Sequence, residues 1–154
     1  MDTIQYRPAT IEDLPTLYSF EQGIITAERP FDPTLKPDPI SYYDLKAYIL
    51  SNEVEVMVAH NGPEIIASGY AKIINGKEYH KHDNYAYLGF MYVKPEYRGK
   101  GIIKNITDTL ISWAKSKSIS EVRLEVYNDN IPAIKAYEKS GFKKHMIEMR
   151  VDIS

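Results

Sequence analysis

The sequence predicts a single α/β domain over residues 1–154, and two features of the chain carry that prediction. Three strand-like segments, 54–59, 65–74 and 85–93, follow one another, with Asn-Gly turn signals after the first and the second. Consecutive strands joined in this way most simply form an antiparallel meander. After Val93 the pattern changes to helix, strand and helix, which predicts a mixed α/β architecture.

The N-terminal third of the chain is predicted to hold one strand and two helices. Residues 4–7 have the character of a short strand, and Thr10 with the acidic residues after it is typical of a helix start. Gly23 is a candidate interruption of that helix. Residues 29–39 contain four prolines, which predict a packed loop, either one wall of a cleft or a plain connector. Ser41 is expected to cap the second helix.

The last third of the chain is predicted to contain two amphipathic helices and two strands. The apolar face of the first helix holds Ile103, Ile106, Leu110, Trp113 and Ala114. The strand after it alternates through Val122, Leu124 and Val126. The last helix, with Ala133, Ile134 and Tyr137 on one face, is expected to end at Gly141, and Met146–Ile153 to add a final strand.

Composition excludes several classes of function. A formal charge of -2 argues against a nucleic-acid binder, and the lack of cysteine excludes disulfides and thiolate catalysis. No apolar run approaches the roughly 20 residues that span a bilayer, and the polar N-terminus does not resemble a signal peptide. A cytoplasmic protein without a membrane partner is therefore expected. The two histidines at positions 80 and 82 are too few to predict a metal site, so no metal is expected.

The turn Arg98-Gly99-Lys100-Gly101 is the candidate ligand site, because it joins a strand to the start of a helix. Glycines in such a turn let several backbone amides point at one anion, and the helix N-terminus adds a partial positive charge. The turn lacks the Gly-Lys-Ser/Thr of a Walker motif and the three glycines of a dinucleotide fingerprint. On these residues alone, a phosphate site and a solvated basic turn are equally good interpretations.

Residues 93–102, Val-Lys-Pro-Glu-Tyr-Arg-Gly-Lys-Gly-Ile, resemble the acetyl-CoA signature of the GCN5-related N-acetyltransferases. Residues 130–142 are similar to that family's second signature, Asn-x-x-Ala-x-x-x-Tyr-x-x-x-Gly-Phe, and residues 6–14 to its opening strand and helix. The resemblance covers nearly the whole chain in the expected order. It implies the family's fold, a central mixed, mostly antiparallel sheet with helices on both faces. One departure is Ile103, which stands where the first signature normally has its second Gly or Ala.

The resemblance also implies an activity: transfer of an acetyl group from acetyl-CoA, as co-substrate, to a primary amine of a small molecule or peptide. The strand before the signature would pair with the pantetheine through main-chain groups, and one of its amides would hold the oxyanion. The cofactor-binding residues implied in this way are Met91, Val93, Arg98, Gly99, Lys100, Gly101, Ile102, Ile103 and Asn130. Asn130 can equally be the N-cap of the last helix. A non-catalytic acyl-CoA-binding or sensor module is the alternative function.

Two catalytic residues are assigned from the resemblance and from side-chain chemistry. Tyr137 matches the family tyrosine that protonates the departing thiolate, although a core aromatic is the alternative interpretation. The general base is chosen from His82, His80, Asp83 and Glu28, and His82 is the residue we assign to the site. No cofactor beyond acetyl-CoA is implied, and homodimer formation is left open.

Three tyrosines near the signature are candidates for the acceptor pocket. Strand alternation predicts that Tyr85 and Tyr87 lie on one face of their strand and Tyr92 on the other. All three are therefore not expected to line the same cleft.

Overall fold

The computed structural model describes residues 3–154, and within that range a five-stranded sheet forms the centre of the protein. The strands, in spatial order, are β1 Ile4–Pro8, β2 Val54–Asn61, β3 Glu64–Asn75, β4 Asn84–Val93 and β5 Val122–Arg123. The first four are antiparallel neighbours, whereas β5 runs parallel to β4. The predicted mixed, mostly antiparallel sheet and its central meander are confirmed.

Four helices flank this sheet within residues 3–154: α1 Leu14–Glu28, α2 Leu45–Leu50, α3 Ile102–Ser116 and α4 Ile131–Lys139. In this part of the chain none of them is both long and apolar enough to cross a membrane. Asn130 Oδ1 accepts a hydrogen bond from the Ala133 amide at 3.4 Å, so the predicted cap of α4 is confirmed. Gly141 follows α4 with φ of 96°, as expected for a helix stop.

The two faces of the sheet pack against different helices. Strand alternation sends Val56 and Val58 to the face covered by α1 and α2, and Met57 and Ala59 to the face covered by α3. Each fully buried aliphatic side chain stabilises the fold by about 1.5–3 kcal/mol relative to exposure. Helices therefore lie on both faces, and each holds its own apolar core.

The start of α1 follows from the predicted capping residues. Arg7 Nη1 lies 2.8 Å from Asp13 Oδ2, and the Thr10 amide donates to the same oxygen at 2.8 Å. The hydrogen bond from Arg7 lowers the pKa of Asp13 below its usual value. Gly23 does not interrupt α1, contrary to expectation. A Cβ there would lie 2.7 Å from Tyr92, so glycine is needed for that ring to approach the helix.

The second helix begins later than predicted. Its cap is Asp44, whose Oδ1 accepts from the Ala47 amide at 3.2 Å, rather than Ser41. The reason is Glu21, which is 3% exposed and accepts hydrogen bonds from both amides of residues 42–43, at 2.9 and 2.8 Å. These two hydrogen bonds tie residues 42–43 to α1, and α2 starts only after them.

Residues 29–39 form the packed loop that their prolines predict. Arg29 Nη2 lies 2.7 Å from Asp38 Oδ1, and Arg29 Nη1 donates to the Lys36 carbonyl at 2.9 Å. The Phe31 ring stacks on Tyr127 with 6.0 Å between the ring centroids. The loop thus contacts the chain just after β5, the strand at the edge of the sheet.

The C-terminal part of the chain differs most from the prediction. Strand β5 is only two residues long, and residues 124–127 continue it without pairing. The predicted strand over Met146–Ile153 is wrong for a single copy of the chain, because residues 142–154 form neither helix nor strand. A strand needs a neighbour for its backbone groups, and this segment has none within residues 3–154.

Candidate active site

Strands β4 and β5 separate part of the way along β4. Their parallel pairing is limited to Ala86 with Val122 and Tyr87 with Arg123. From Leu88 to Val93, the side of β4 that faces β5 has no strand partner within residues 3–154. A strand edge without a partner strand can accept an extended ligand in the way that a sheet edge accepts another strand.

A bulge in β4 lies where the two strands separate. Phe90 has a positive φ of 60°, which is uncommon for a bulky residue, and the pairing with β3 shifts register there. Ser68 Oγ donates to the Phe90 carbonyl at 3.0 Å and fixes the bulge. The bulge also reverses the alternation, so Tyr87 and Tyr92 pack on the same face. The prediction that they face opposite ways is therefore wrong.

The turn before α3 has the geometry of an anion site. Gly99 and Gly101 both lie in the left-handed region, with φ of 78° and 77°. The N-terminus of α3 has no side-chain cap, and the first amide bonded into the helix is that of Asn105, which donates to the Gly101 carbonyl at 3.1 Å. The amides that precede it point out of the helix end and are available to a ligand.

A cleft of about 290 Å³ connects this turn with α4. Its lining includes Gly99, Gly101 and Ile103 from the turn and α3, Tyr137 from α4, and Val93 at the end of β4. The structure thus brings together the two separate sequence motifs. Burial raises the pKa of the Tyr137 phenol above its ordinary value, so the phenol stays protonated well above neutral pH.

The basic side chains in and beside the turn differ in whether they line the cleft. Arg98 lines the cleft, with its Nε donating to the Val93 carbonyl at 3.0 Å, so it fixes the turn against β4. Lys100 lies over the Tyr97 ring, 5.3 Å from the centroid, and is not part of the cleft lining. Lys104 and Lys139 do line the cleft, and sequence reasoning missed both. The signal for Lys104 is its place in the first turn of α3.

Ile102 packs into the core and Ile103 borders the cleft, although the sequence placed Ile103 both on the apolar face of α3 and in the acetyl-CoA signature. The buried stripe of α3 begins at Ile102 and continues through Ile106 and Leu110, all at most 3% exposed. Ile103 lies one position round the helix, where it is half-buried and lines the cleft. Thr107, one turn later, also lines the cleft, and its buried hydroxyl has no hydrogen-bond partner within residues 3–154. Helical spacing from Ile103 was the signal for Thr107.

Besides Lys100, two further predicted cofactor residues, Met91 and Asn130, do not line this cleft. The Met91 side chain packs into the core against Gly69, so only its backbone on β4 faces the unpaired edge. The Asn130 side chain caps α4. Neither position excludes a main-chain contact, which is the kind that the resemblance implies for β4.

A second group of side chains, here called the tyrosine wall, lies near the bulge on the other side of β4. It consists of Glu28, Asp32, Tyr42, Tyr43, Tyr87, Glu125 and Tyr127. Tyr43 packs on Phe90 with 5.4 Å between the ring centroids, and Tyr87 Oη donates to Glu125 Oε1 at 2.9 Å. These residues come from α1, from the loop after it, from β4 and from the chain just after β5. Sequence reasoning named Glu28 and Tyr87 but could not group them.

Glu28 is the carboxylate of the tyrosine wall whose pKa is shifted in the direction that favours proton uptake. Burial raises its pKa above the usual range, the nearby Tyr42 hydroxyl opposes that shift, and the negative charge of Asp32 adds to it. The Tyr42 hydroxyl is itself buried and faces Glu28 without a well-formed hydrogen bond within residues 3–154. A carboxylate with a raised pKa is a better proton acceptor than an ordinary one.

The structure places His82 away from both groups. Its Nδ1 lies 3.4 Å from Glu121 Oε2, which also forms an ion pair with Arg123 at 2.7 Å. His82 precedes β4, whereas the bulge and the cleft belong to the second half of that ten-residue strand. At about 3.3 Å per strand residue, the distance from His82 to Phe90 is of the order of 20 Å or more.

The Acetyltransferase (GNAT) family model matches residues 21–142, which is well over half of the chain. The chain therefore belongs to the GCN5-related N-acetyltransferase family. The solved structures agree in fold. A mutant of the BH1408 protein from Bacillus halodurans has a TM-score of 0.85 at 18% identity, covering 97% of this chain and 99% of that one. A predicted acetyltransferase with acetyl-CoA from Clostridium acetobutylicum has a TM-score of 0.74 at 22% identity, covering 98% and 97%.

The curated relatives have higher identity but match over a shorter range of this chain. Mycothiol acetyltransferase of Acidothermus cellulolyticus is 25% identical over 103 residues, which are 67% of this chain and 32% of that protein. Thialysine N-epsilon-acetyltransferase of Sus scrofa is 42% identical over 55 residues, 36% of this chain and 32% of that one. The match to these relatives thus spans about a third of their length.

Proposed function

We propose that this chain transfers an acetyl group from acetyl-CoA to a primary amine of a small molecule or peptide. The observation that carries the proposal is the cleft in which Gly99, Gly101 and Tyr137 meet beside the unpaired half of β4. A diphosphate, an extended amide-bearing arm and a thioester would each find suitable groups there.

The residues fit acetyl-CoA in chemistry as well as in position. The left-handed glycines and the uncapped end of α3 supply amides for the diphosphate, with Lys104 and Lys139 as cations. The unpaired edge of β4 supplies main-chain groups for the pantetheine, which itself carries amides. The unpartnered Thr107 hydroxyl supplies a further polar contact in the cleft. Acetyl-CoA supplies the activated acetyl group, and the chain supplies binding, orientation and proton transfer.

Three groups of the chain share the proton and charge movements. A main-chain amide of β4 at Met91 or Val93 stabilises negative charge on the acetyl oxygen. Tyr137 donates its phenolic proton to the departing thiolate, for which its raised pKa keeps it ready. Glu28 accepts a proton from the substrate ammonium, and the neutral amine so formed attacks the thioester carbon as the carbon–sulfur bond breaks. In this proposal it takes the place of His82, because Glu28 lies in the tyrosine wall beside the bulge.

The experiment that tests the proposal combines ligand binding with turnover. Saturating acetyl-CoA at about 100 times its Kd should stabilise the folded chain by about 2.7 kcal/mol, which corresponds to a Tm increase of roughly 5–10 °C. A panel of small primary amines and peptides should then show thiol release with at least one member. ATP is the control, since it carries phosphates but no pantetheine.

The outcomes separate three cases. Stabilisation by acetyl-CoA together with amine-dependent thiol release supports the acetyltransferase. Stabilisation without release over a broad panel would favour a non-catalytic acyl-CoA-binding module. No Tm change at millimolar acetyl-CoA, or an equal change with ATP, would overturn the proposal.

A further inference from the structure

The C-terminal segment, residues 143–154, exposes more apolar surface than its surroundings explain. Met146, Ile147, Met149, Val151 and Ile153 are between 82% and 90% exposed, although they fall within eight residues of one another. Within residues 3–154 the segment takes part in no backbone hydrogen bond to another part of the chain. Contiguous apolar surface of this kind on a folded protein marks an interaction site.

The segment has the pattern of a strand that lacks its neighbours. Its odd positions, Ile147, Met149, Val151 and Ile153, are apolar, whereas Glu148, Arg150 and Asp152 alternate with them. The sheet beside it is also incomplete, because β5 is the edge strand and residues 124–127 continue it unpaired. An apolar strand and an open sheet edge in the same chain are complementary features.

We propose that the C-terminal segments of two copies of this chain pair antiparallel to each other, centred on Met149, to form a twofold-symmetric dimer. In this register Glu148 of each copy faces Arg150 of the other, and Ile147 faces Val151. Centring the pair on Glu148 or Arg150 would place like charges opposite each other, and centring it on Ile147 would oppose Arg150 with Lys144. Centring on Val151 keeps opposite charges but shortens the overlap, so charge and length both select Met149.

The edge of β5 accepts the same strand from the second copy. An antiparallel register that places Leu124 opposite Val151 also places Val126 opposite Met149, so the apolar faces coincide. The charged faces coincide as well, since Arg123 then faces Asp152 and Glu125 faces Arg150. Each segment of the second copy would thus lie between β5 and the segment of the first.

In the single chain, Asp32 already links the two segments that would lie on either side of the inserted strand. Tyr127 Oη donates to Asp32 Oδ2 at 2.9 Å, and Arg150 Nη2 lies 3.6 Å from Asp32 Oδ1. In the two registers together, Glu148 of the second copy lies between Tyr127 and Arg150. Two side chains that would flank one inserted strand therefore reach the same carboxylate, while neither residue belongs to a paired strand. The two registers were chosen from charge and hydrophobicity alone, and this contact agrees with both.

Cysteine cross-linking tests the arrangement at one residue, because the natural sequence contains no cysteine. Met149 faces its own counterpart across the twofold axis, so the Cα atoms would be about 4.5–5.5 Å apart, within reach of a disulfide. Ile153 is equally exposed, yet its counterpart would be about 27 Å away along the paired strands. Met149→Cys should therefore form the disulfide-linked dimer at least about tenfold faster than Ile153→Cys under mild oxidation.

The solution mass provides the second measurement. Light scattering of the natural chain at micromolar concentration should give twice the 17.7 kDa chain mass. Val151→Glu should convert it to a monomer with an unchanged far-UV circular dichroism spectrum, because Val151 is 82% exposed in the single copy. Leu50→Glu is the matched control, since Leu50 is also apolar and is 66% exposed, and this variant should remain dimeric. A monomeric natural chain, or equal cross-linking at positions 149 and 153, would overturn the proposal.

Discussion

Two groups of residues beside β4 are built from different chemical groups: the turn before α3 that lines the cleft, here called the backbone wall, and the tyrosine wall near the bulge. On the turn side, the ligand-facing groups are backbone amides, set by two left-handed glycines and by the uncapped end of α3. On the other side, the tyrosine wall consists of side chains, and Glu28 and Tyr127 in it are 99 positions apart in the chain. The first wall is local in sequence, whereas the second exists only in the folded protein.

This difference explains why the sequence predicts the ligand of the backbone wall but not that of the tyrosine wall. A backbone site binds a group that many proteins share, so its sequence is restricted and resembles that of relatives. A side-chain wall selects a particular amine, and its residues can change without altering the fold. The turn side therefore predicts the acetyl donor, and the tyrosine wall would determine the acceptor. Substitutions in each wall test that division.

The largest effect is expected at Tyr137, which lines the cleft together with the backbone wall. Tyr137→Phe should lower kcat by roughly 10²–10³-fold, because general-acid catalysis contributes about 10²–10⁴-fold. The Kd for acetyl-CoA should change little, since the ring remains. Tyr79→Phe is the control, because Tyr79 is 77% exposed, and its kcat should be unchanged. An unchanged kcat in Tyr137→Phe would remove this residue from the mechanism.

Glu28 tests the tyrosine wall separately from the donor site. Glu28→Gln should reduce kcat/KM for the amine by about 10²-fold and leave the Kd for acetyl-CoA unchanged. In the natural chain, kcat/KM should rise with pH through the raised pKa of Glu28, and Glu28→Gln should lose that rise. If His82 is the base instead, His82→Gln would remove the rise and Glu28→Gln would retain it.

Glu28→Gln should increase stability at neutral pH, although it should lower activity. The folded pKa of Glu28 is raised by burial, so the folded state disfavours the ionised carboxylate relative to the unfolded state. Its contribution is therefore least favourable at neutral pH and improves as the pH falls through that raised pKa. Glu28→Gln should have a higher Tm than the natural chain at pH 7, and the difference should vanish in acid. A lower Tm at pH 7 would show that the carboxylate stabilises the wall.

Gly101 tests the backbone wall. Gly101→Ala leaves the Cβ with no atom within 4 Å, so its effect must come from the backbone at φ of 77°. The left-handed conformation costs an L-residue about 1–2 kcal/mol, so the Kd for acetyl-CoA should rise by roughly 5–30-fold if the turn shifts. Gly62→Ala is the matched control, with φ of 57° and equally open space in a hairpin turn. It should lose similar stability without loss of affinity.

The boundary between predictable and unpredictable features follows the same division. The meander, the Asn130 cap and the phosphate turn depend on neighbouring residues and were predicted. The bulge at Phe90 was not, because nothing in a phenylalanine indicates a positive φ, and it reversed the expected side of Tyr92. Gly23 was misjudged for a related reason, since its role is the approach of a distant ring. The C-terminal strand pattern was recognised, but the strand does not form in the single chain.

The smallest effect is expected at Ile103, the one departure from the family signature. Its side chain is half-buried against the α3 core and also borders the cleft, so it can either support the helix or crowd the ligand. If only its amide binds phosphate, Ile103→Ala should change the Kd for acetyl-CoA by less than about threefold and lower stability by roughly 2 kcal/mol at most, since the site is only partly buried. Calorimetric titration and thermal unfolding of the same preparation measure the two quantities. Tighter binding by about tenfold or more would instead mean that the isoleucine side chain limits the donor site, and that the backbone wall is not independent of its side chains.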